Sequence, residues 1–239
     1  MTSLHAATRR ALAALAPLRF GPPVAYVYNP LVHARRSHEA FLERFGGGQK
    51  EVLLVGMNPG PFGMVQTGVP FGEVAAVRDW LGIEEEVDRP VPEHPKRPVD
   101  GFACTRSEVS GRRLWGYVAA RCKTPEDFFA RFFIHNFCPL AFMEEGGKNV
   151  TPDKLKAAER DPLLAVCDDY LRDVVDALRP ARVVGVGAFA EDRARRALAG
   201  RDGLEFGRIP HPSPASPLAN RGWDEAADAA FGALGISVV

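Results

Sequence analysis

The chain has 239 residues, of which 46% are hydrophobic and 25% charged, the proportions of one α/β domain with a core of ordinary size. Lys plus Arg and Asp plus Glu number 30 each, so the net charge is zero; this speaks against a protein that holds nucleic acid by bulk electrostatics, and any DNA-facing surface has to be local. The longest apolar run, Val183 to Ala190, is far below the roughly 18 residues of a membrane span, so a soluble protein is expected.

From the N-terminus, a helix is predicted over about 2–16. Arg9 and Arg10 before the run Ala11 to Ala16 faintly imitate a leader peptide, but the stretch is short and has no processing site, so an amphipathic helix is the better reading and export is not expected. A second helix follows near 36–45. The apolar run Val52-Leu53-Leu54-Val55 predicts a buried strand over 51–57, with further strands at 132–138, 182–187 and 205–210. Helices are predicted at 74–81, 107–121, 125–131, 152–178 with a break near Pro162, and 188–200. The proline- and charge-rich stretch from 84 to 106 is the one long irregular segment. Apolar strands separated by helices imply a mostly parallel four-stranded sheet covered on both faces, a single-domain α/β/α sandwich over residues 1–239. No internal repeat is present.

Cys104, Cys122, Cys138 and Cys167 are scattered without a C-x-x-C pair, which indicates neither a zinc site nor a disulfide framework. Reduced core thiols and a metal-free, cofactor-free protein of the cytoplasm, or of the nucleus in a eukaryote, are expected. Arg193, Arg195 and Arg196 crowd one short helix, Lys96 and Arg97 follow a loop, and Arg221 lies near the C-terminus. These are the candidate DNA-facing clusters, each with an ordinary solvated helix or loop as its plain alternative; the acidic run Glu84 to Asp88 has to point elsewhere.

Two segments carry the chemistry. The first runs from Gly56 to Gly72 directly after the first strand, with glycines at 56, 60, 63, 68 and 72 and prolines at 59, 61 and 70. Such a loop is stiff, shaped and poor in side chains, as a pocket wall has to be. Its polar inventory is the Asn58 and Gln66 amides, the Thr67 hydroxyl and backbone N–H groups, with Phe62, Met64 and Phe71 as apolar surface. That suits a flat, uncharged, hydrogen-bonding ligand such as a nucleobase and suits phosphate poorly, since the Walker-type ending is absent. The second runs from Ile209 to Trp223 and sets His211 among prolines at 210, 212, 214 and 217. Asn58 follows the first sheet strand, Asn136 closes the second and His211 follows the last. Because ligands of open α/β sheets bind beyond the carboxyl ends of the strands, the three are predicted to meet in one cleft. Gly185-Val186-Gly187 imitates part of a dinucleotide fingerprint, but the full pattern is missing.

The runs Gly56-Met57-Asn58-Pro59-Gly60 and His211-Pro212-Ser213-Pro214 resemble the two motifs of the single-strand-selective monofunctional uracil-DNA glycosylases. The resemblance continues through Phe71-Gly72-Glu73-Val74, Glu93-His94-Pro95-Lys96-Arg97-Pro98, Ser107-Glu108-Val109-Ser110-Gly111 and His135-Asn136-Phe137-Cys138-Pro139-Leu140, and covers most of the chain from about residue 20. It implies the uracil-DNA glycosylase-like fold and an enzyme that flips uracil out of DNA and hydrolyses its N-glycosidic bond in base-excision repair. The scattered cysteines separate the chain from the iron–sulfur members of the superfamily.

By resemblance, Asn58 and His211 are catalytic. Asn58 positions the hydrolytic water; being a weak base, it implies a dissociative route in which the bond breaks before water adds. His211 stabilises charge on uracil O2. Asn136 reads the base, its carbonyl accepting from N3–H and its NH₂ donating to O4, a pattern that cytosine inverts. Phe71 stacks on the base, and Met57, Gly60 and Met64 complete the base-binding set. Gly60 stands where uracil-specific relatives carry a tyrosine that blocks C5, so an open wall and acceptance of 5-hydroxymethyluracil are expected. The segment from Pro212 to Gly222, with Pro212, Ser213, Pro214, Ala215, Leu218 and Arg221 as DNA-binding candidates, resembles the wedge that fills the gap left by the flipped nucleotide. Relatives carry arginine after His-Pro-Ser-Pro; Ala215 here departs from that pattern, with Leu218 or Arg221 as substitutes.

No lysine stands near either motif, so a Schiff base and strand cleavage are not expected; Lys50 and Lys96 are the exceptions that folding could bring close. Uracil-containing DNA is the expected partner, with strand preference open, free uracil the product and a monomer the expected state. Two other readings remain: a sister enzyme acting mainly on xanthine or hypoxanthine, and a catalytically silent binder of damaged DNA. Ser213 lacks the nucleophile-elbow context of a serine hydrolase.

Overall fold

The computed structural model describes residues 3–238. In chain order the elements are α1 (Ser3–Leu15), β1 (Tyr26–Tyr28), α2 (Pro30–His33), α3 (Arg35–Phe45), β2 (Val52–Gly56), α4 (Met64–Thr67), α5 (Val109–Ala119), α6 (Pro125–Arg131), β3 (Phe132–Asn136), β4 (Ala141–Met143), β5 (Asn149–Val150), α7 (Ala157–Leu178), β6 (Arg182–Val186), α8 (Ala188–Ala197), β7 (Glu205–Ile209) and α9 (Pro217–Ala233). A π turn spans Ala76–Trp80.

Four strands form one sheet in the order β3-β2-β6-β7, and every pair in it is parallel. β2 and β3 are buried along their whole length, as strands covered on both faces must be. Side chains alternate between the faces. His135 packs edge-on against Tyr170 of α7, whereas Leu54 and Ile209 meet Leu114 of α5 and Trp223 and Phe231 of α9. Two helical layers thus enclose the sheet. From β2 the chain crosses to β3 on one side, and it later returns to β6 on the other side of β2. The carboxyl end of β2 is therefore the point where the winding reverses, the favoured ligand position in such sheets.

Local signals account for several boundaries. Thr124 caps α6 in a reciprocal box with Asp127, with proline next in line, and Asn29 caps α2. α7 ends on Arg179 in the left-handed region, just before Pro180. The expected break at Pro162 is absent. Pro162 lies inside α7, so near its start that the helix forfeits one hydrogen bond, and the 3-10 turn Pro152–Lys154 precedes it as a separate element.

Besides the short helices α2 and α4, two larger features were not foreseen. One is a small antiparallel sheet, β1-β4-β5, made of strands too short for periodicity to register. The other is α9, whose start overlaps the segment read as a wedge and whose helix carries a kink at Gly222.

The long segment 84–106 is fastened down. Tyr28 accepts from the His94 N–H and donates to the Arg97 carbonyl. The Gln66 amide donates to the Pro61 and Pro98 carbonyls and accepts from the Asp100 and Gly101 N–H groups. Glu86 of the acidic run pairs with Arg36. Cys122, Cys138 and Cys167 are buried free thiols, while Cys104 is only half-buried and does not belong to the core. Among the described residues, no helix is long and apolar enough to cross a membrane.

Candidate active site

A cleft of about 480 Å³ opens at the carboxyl ends of β2 and β3, and Met57, Asn58, Gly60, Phe71, Asn136 and His211 all line it. The three polar residues expected to converge do so. Glycine-for-contact exchanges explain how. Gly56 and Asn136 are paired across β2 and β3, and a Cβ on Gly56 would lie 2.4 Å from Asn136 Oδ1 and 2.5 Å from the Phe71 ring. Only glycine lets the amide and the ring approach the strand end together. Past the strands the pairing continues, with Phe137 and Cys138 donating to the Gly56 and Met57 carbonyls, so the loops that carry Asn58 and Asn136 leave the sheet in register.

Asn58 donates its side-chain N–H to the Leu140 carbonyl at 3.2 Å. This fixes the amide and leaves Oδ1 as the group available to accept from a water. Asn136 is buried and donates one N–H to Met64 Sδ at 3.2 Å, a weak acceptor that competes little with a ligand. Phe71 holds a left-handed φ of 54°, a strained conformation for an aromatic residue. Its carbonyl is held by Trp115 Nε1 at 3.0 Å and by the Glu73 N–H, and Gly111 makes room for that carbonyl, since a Cβ there would meet it at 2.1 Å.

His211 accepts from the Ser213 N–H on Nδ1 at 3.1 Å, which assigns the ring proton to Nε2. Burial lowers its pKa from the ordinary histidine value, so the ring is neutral at pH 7 and offers Nε2–H as a donor. Gly187 packs under it, and its φ of 93°, a conformation that L side chains rarely adopt, accounts for that glycine. Gly185 likewise makes room for the Glu191 backbone of α8.

The loop after His211 is pinned from three sides. Trp223 Nε1 donates to the Pro210 carbonyl, Arg113 to the Pro212 carbonyl and Asn220 to the Pro214 carbonyl, while Arg113 also donates to the Asn220 amide oxygen. Pro212 is buried; Pro214 and Ala215 form an exposed tip, and Ser213 and Ala215 border the cleft. Arg221 is exposed on α9, and the side chain of Leu218 lies outside the described part of the structure.

Sequence reasoning missed Glu108, Ser110, Asn149, Thr151 and Ser216 on the cleft wall. It also misassigned several groups. Gln66 and Thr67 are buried and spent on the loop's own backbone, Thr67 donating to the Gly72 carbonyl, and Phe62 lies under Arg97 and Arg106. The wall beside Gly60 is not open either: a Cβ on Gly60 would meet the Glu108 carboxylate at 2.7 Å.

The arginines of α8 are not a free basic face. Arg193 pairs with Asp168, Arg195 with Glu191 and Arg196 with Asp192, because acids four residues earlier and on α7 neutralise them. Lys50 precedes β2 and donates to the Phe129 carbonyl, at the end of the sheet opposite the cleft, and neither it nor Lys96 lines the site. Among the described residues no group of His, Cys, Asp or Glu is placed to hold a metal.

Residues 43–231 match the family model for the uracil DNA glycosylase superfamily. The chain belongs to that superfamily. It is 51% identical over 225 residues, 94% of this chain and 81% of the relative, to the single-strand selective monofunctional uracil-DNA glycosylase of Rattus norvegicus. The proteins of that name from Mus musculus and Bos taurus are each 50% identical, with 94% and 93% of this chain aligned to 81% and 82% of theirs. This is the branch to which the chain belongs. The crystal structure of wild-type Pedobacter heparinus SMUG2 superposes with a TM-score of 0.68 over 96% of this chain and 98% of that one at 18% identity, a likeness of fold.

Proposed function

We propose that this chain is a monofunctional DNA glycosylase that extrudes uracil from DNA, hydrolyses its N-glycosidic bond and leaves an abasic site, and that it also accepts 5-hydroxymethyluracil. The observation that carries the reading is the meeting of Asn58, Asn136 and a neutral His211 in one cleft beside Phe71. A flipped base inserted there stacks on Phe71 and presents its pairing edge to Asn136, whose carbonyl accepts from N3–H while the N–H not directed at Met64 donates to O4. Cytosine leaves both groups opposed, which is the costly case for a buried site.

As the glycosidic bond breaks, its electron pair passes into the base and charge grows on O2. Nε2–H of His211 donates there, a preorganised contact that typically contributes ~3–4 kcal/mol to the transition state. Asn58 Oδ1 then holds the water that adds to the oxocarbenium-like sugar carbon; the water's proton leaves to solvent or to the departing uracil anion. A lysine-free lining fits hydrolysis without a covalent sugar intermediate. The exposed Pro214-Ala215 tip beside the cleft suits insertion into the duplex gap, and DNA is the partner.

Release of free base from single- and double-stranded oligonucleotides bearing uracil, 5-hydroxymethyluracil, xanthine or hypoxanthine tests the reading. Uracil and 5-hydroxymethyluracil are expected to be released first. Preferential release of xanthine or hypoxanthine transfers the assignment to deaminated purines, and binding without release of any base overturns it.

A further inference from the structure

Glu108 occupies the N-cap position of α5, yet its side chain bonds to none of the helix's free N–H groups. It turns into the cleft instead. Its carboxylate lies where the side chains of two glycines would stand: a Cβ on Gly60 would be 2.7 Å from Oε1 and a Cβ on Gly63 2.1 Å from Oε2. The carboxyl has no hydrogen-bond partner among the described residues. A half-buried acid that faces the cleft, declines its cap and finds no partner among the described residues keeps both oxygens for a ligand.

The base's orientation says which edge that ligand presents. Asn136 and His211 bracket the pairing edge, His211 at O2 and the Asn136 NH₂ at O4, and C5 follows O4 on the side away from O2. The Asn136 NH₂ points to Met64, the residue after Gly63, whose missing side chain makes room for Glu108. The sequence O2, N3, O4, C5 around the ring thus runs His211, Asn136 Oδ1, Asn136 Nδ2, Glu108. We infer that Glu108 is the residue that touches the substituent at C5, and that its carboxyl hydrogen-bonds the hydroxyl of 5-hydroxymethyluracil. This rests on the function proposed above.

In this account the selectivity of the C5 side comes from a polar group and not from empty space. A hydroxymethyl group gives the carboxyl a partner, the methyl of thymine leaves it bare, and a C5 carboxylate meets like charge. Burial, with the charge of Glu73 added, pushes the Glu108 pKa up to about 7, so at pH 8 the ionised form prevails and repels a second carboxylate.

Single-turnover excision of uracil, 5-hydroxymethyluracil and 5-carboxyuracil from single-stranded oligonucleotides at pH 8, by the wild type, Glu108→Ala and Glu108→Gln, tests the inference. Each rate is divided by that variant's uracil rate, which also reports folding. Glu108→Ala is expected to lower the 5-hydroxymethyluracil ratio about tenfold, the effect of one lost hydrogen bond. Glu108→Gln, which keeps a donor and an acceptor but no charge, should hold that ratio within threefold and raise the 5-carboxyuracil ratio about tenfold. An unchanged 5-hydroxymethyluracil ratio in Glu108→Ala, or an unchanged 5-carboxyuracil ratio in Glu108→Gln, overturns the role given to Glu108, as does an equal loss on all bases. Failure of the wild type to release uracil overturns the proposed function itself.

Discussion

At the residue scale, the site depends on which atoms remain unspent once the fold has made its own bonds. Asn58 has used its N–H on Leu140 and keeps an acceptor; His211 has used Nδ1 on Ser213 and keeps a donor. Asn136 keeps its carbonyl and one N–H, and a base with the opposite pattern finds no complement. If the proposed reading holds, replacing Asn136 by Asp turns the donor facing O4 into an acceptor, so uracil excision is expected to fall by about two orders of magnitude or more, with cytosine gaining only where the acid is protonated. Paired rates on uracil and cytosine check this, and unaltered uracil excision removes Asn136 from the role of reader. The meeting of Asn58, Asn136 and His211 in one cleft was legible because motif and strand end coincided. Glu108 was not legible: it sits in a polar run that reads as an ordinary helix start, and only the glycines it contacts reveal where it points.

At the element scale, the four sheet strands were readable to within a residue or two because continuous apolar runs leave little choice of burial. The pocket loop was readable as a shape and not as a set of contacts. Its glycines serve different neighbours: Gly56 admits Asn136 and Phe71, Gly63 admits Glu108, and Gly72 admits the Thr67 hydroxyl. α9 was missed because prolines and the motif histidine dominate the segment before it, although Trp223 and Phe231 carry its buried face. The strained Phe71 shows how elements cooperate. α5 holds its carbonyl through Trp115 and grants it space at Gly111. Gly111→Ala is expected to push that carbonyl away, destabilise the fold by roughly 1–3 kcal/mol as an overpacked core does, and lower excision of every base alike. Urea unfolding together with uracil release checks it; a mutant with wild-type stability and rate shows that Phe71 does not depend on α5.

At the scale of the whole molecule, zero net charge is matched by a surface laced with local ion pairs, so any attraction for DNA is local and not a global field. Stability carries its own titration. His38 and His135 are buried neutral between the sheet and the N-terminal layers, each with an Nε2 that bonds nothing among the described residues, and burial lowers their pKa values to about 4 and about 3. Both bind a proton in the unfolded chain near pH 6.5 and resist it when folded. Their contribution is complete above pH 6.5 and is lost as pH falls toward those lower values, at about 1.4 kcal/mol per pH unit from each. The urea midpoint should drop between pH 7 and pH 5, and His135→Phe, which keeps the packing on Tyr170, should flatten that fall. Equal slopes in mutant and wild type contradict this source.

On the function proposed above, Asn58 and His211 act in the transition state of glycosidic cleavage. Single-turnover release of free uracil from a single-stranded oligonucleotide, set beside the binding affinity for the same DNA, separates that role from binding. Asn58→Ala and His211→Ala are each expected to slow release by roughly 10²–10³ while changing affinity by less than about threefold. Near wild-type release by either folded variant, or a loss that follows binding alone, would contradict the account.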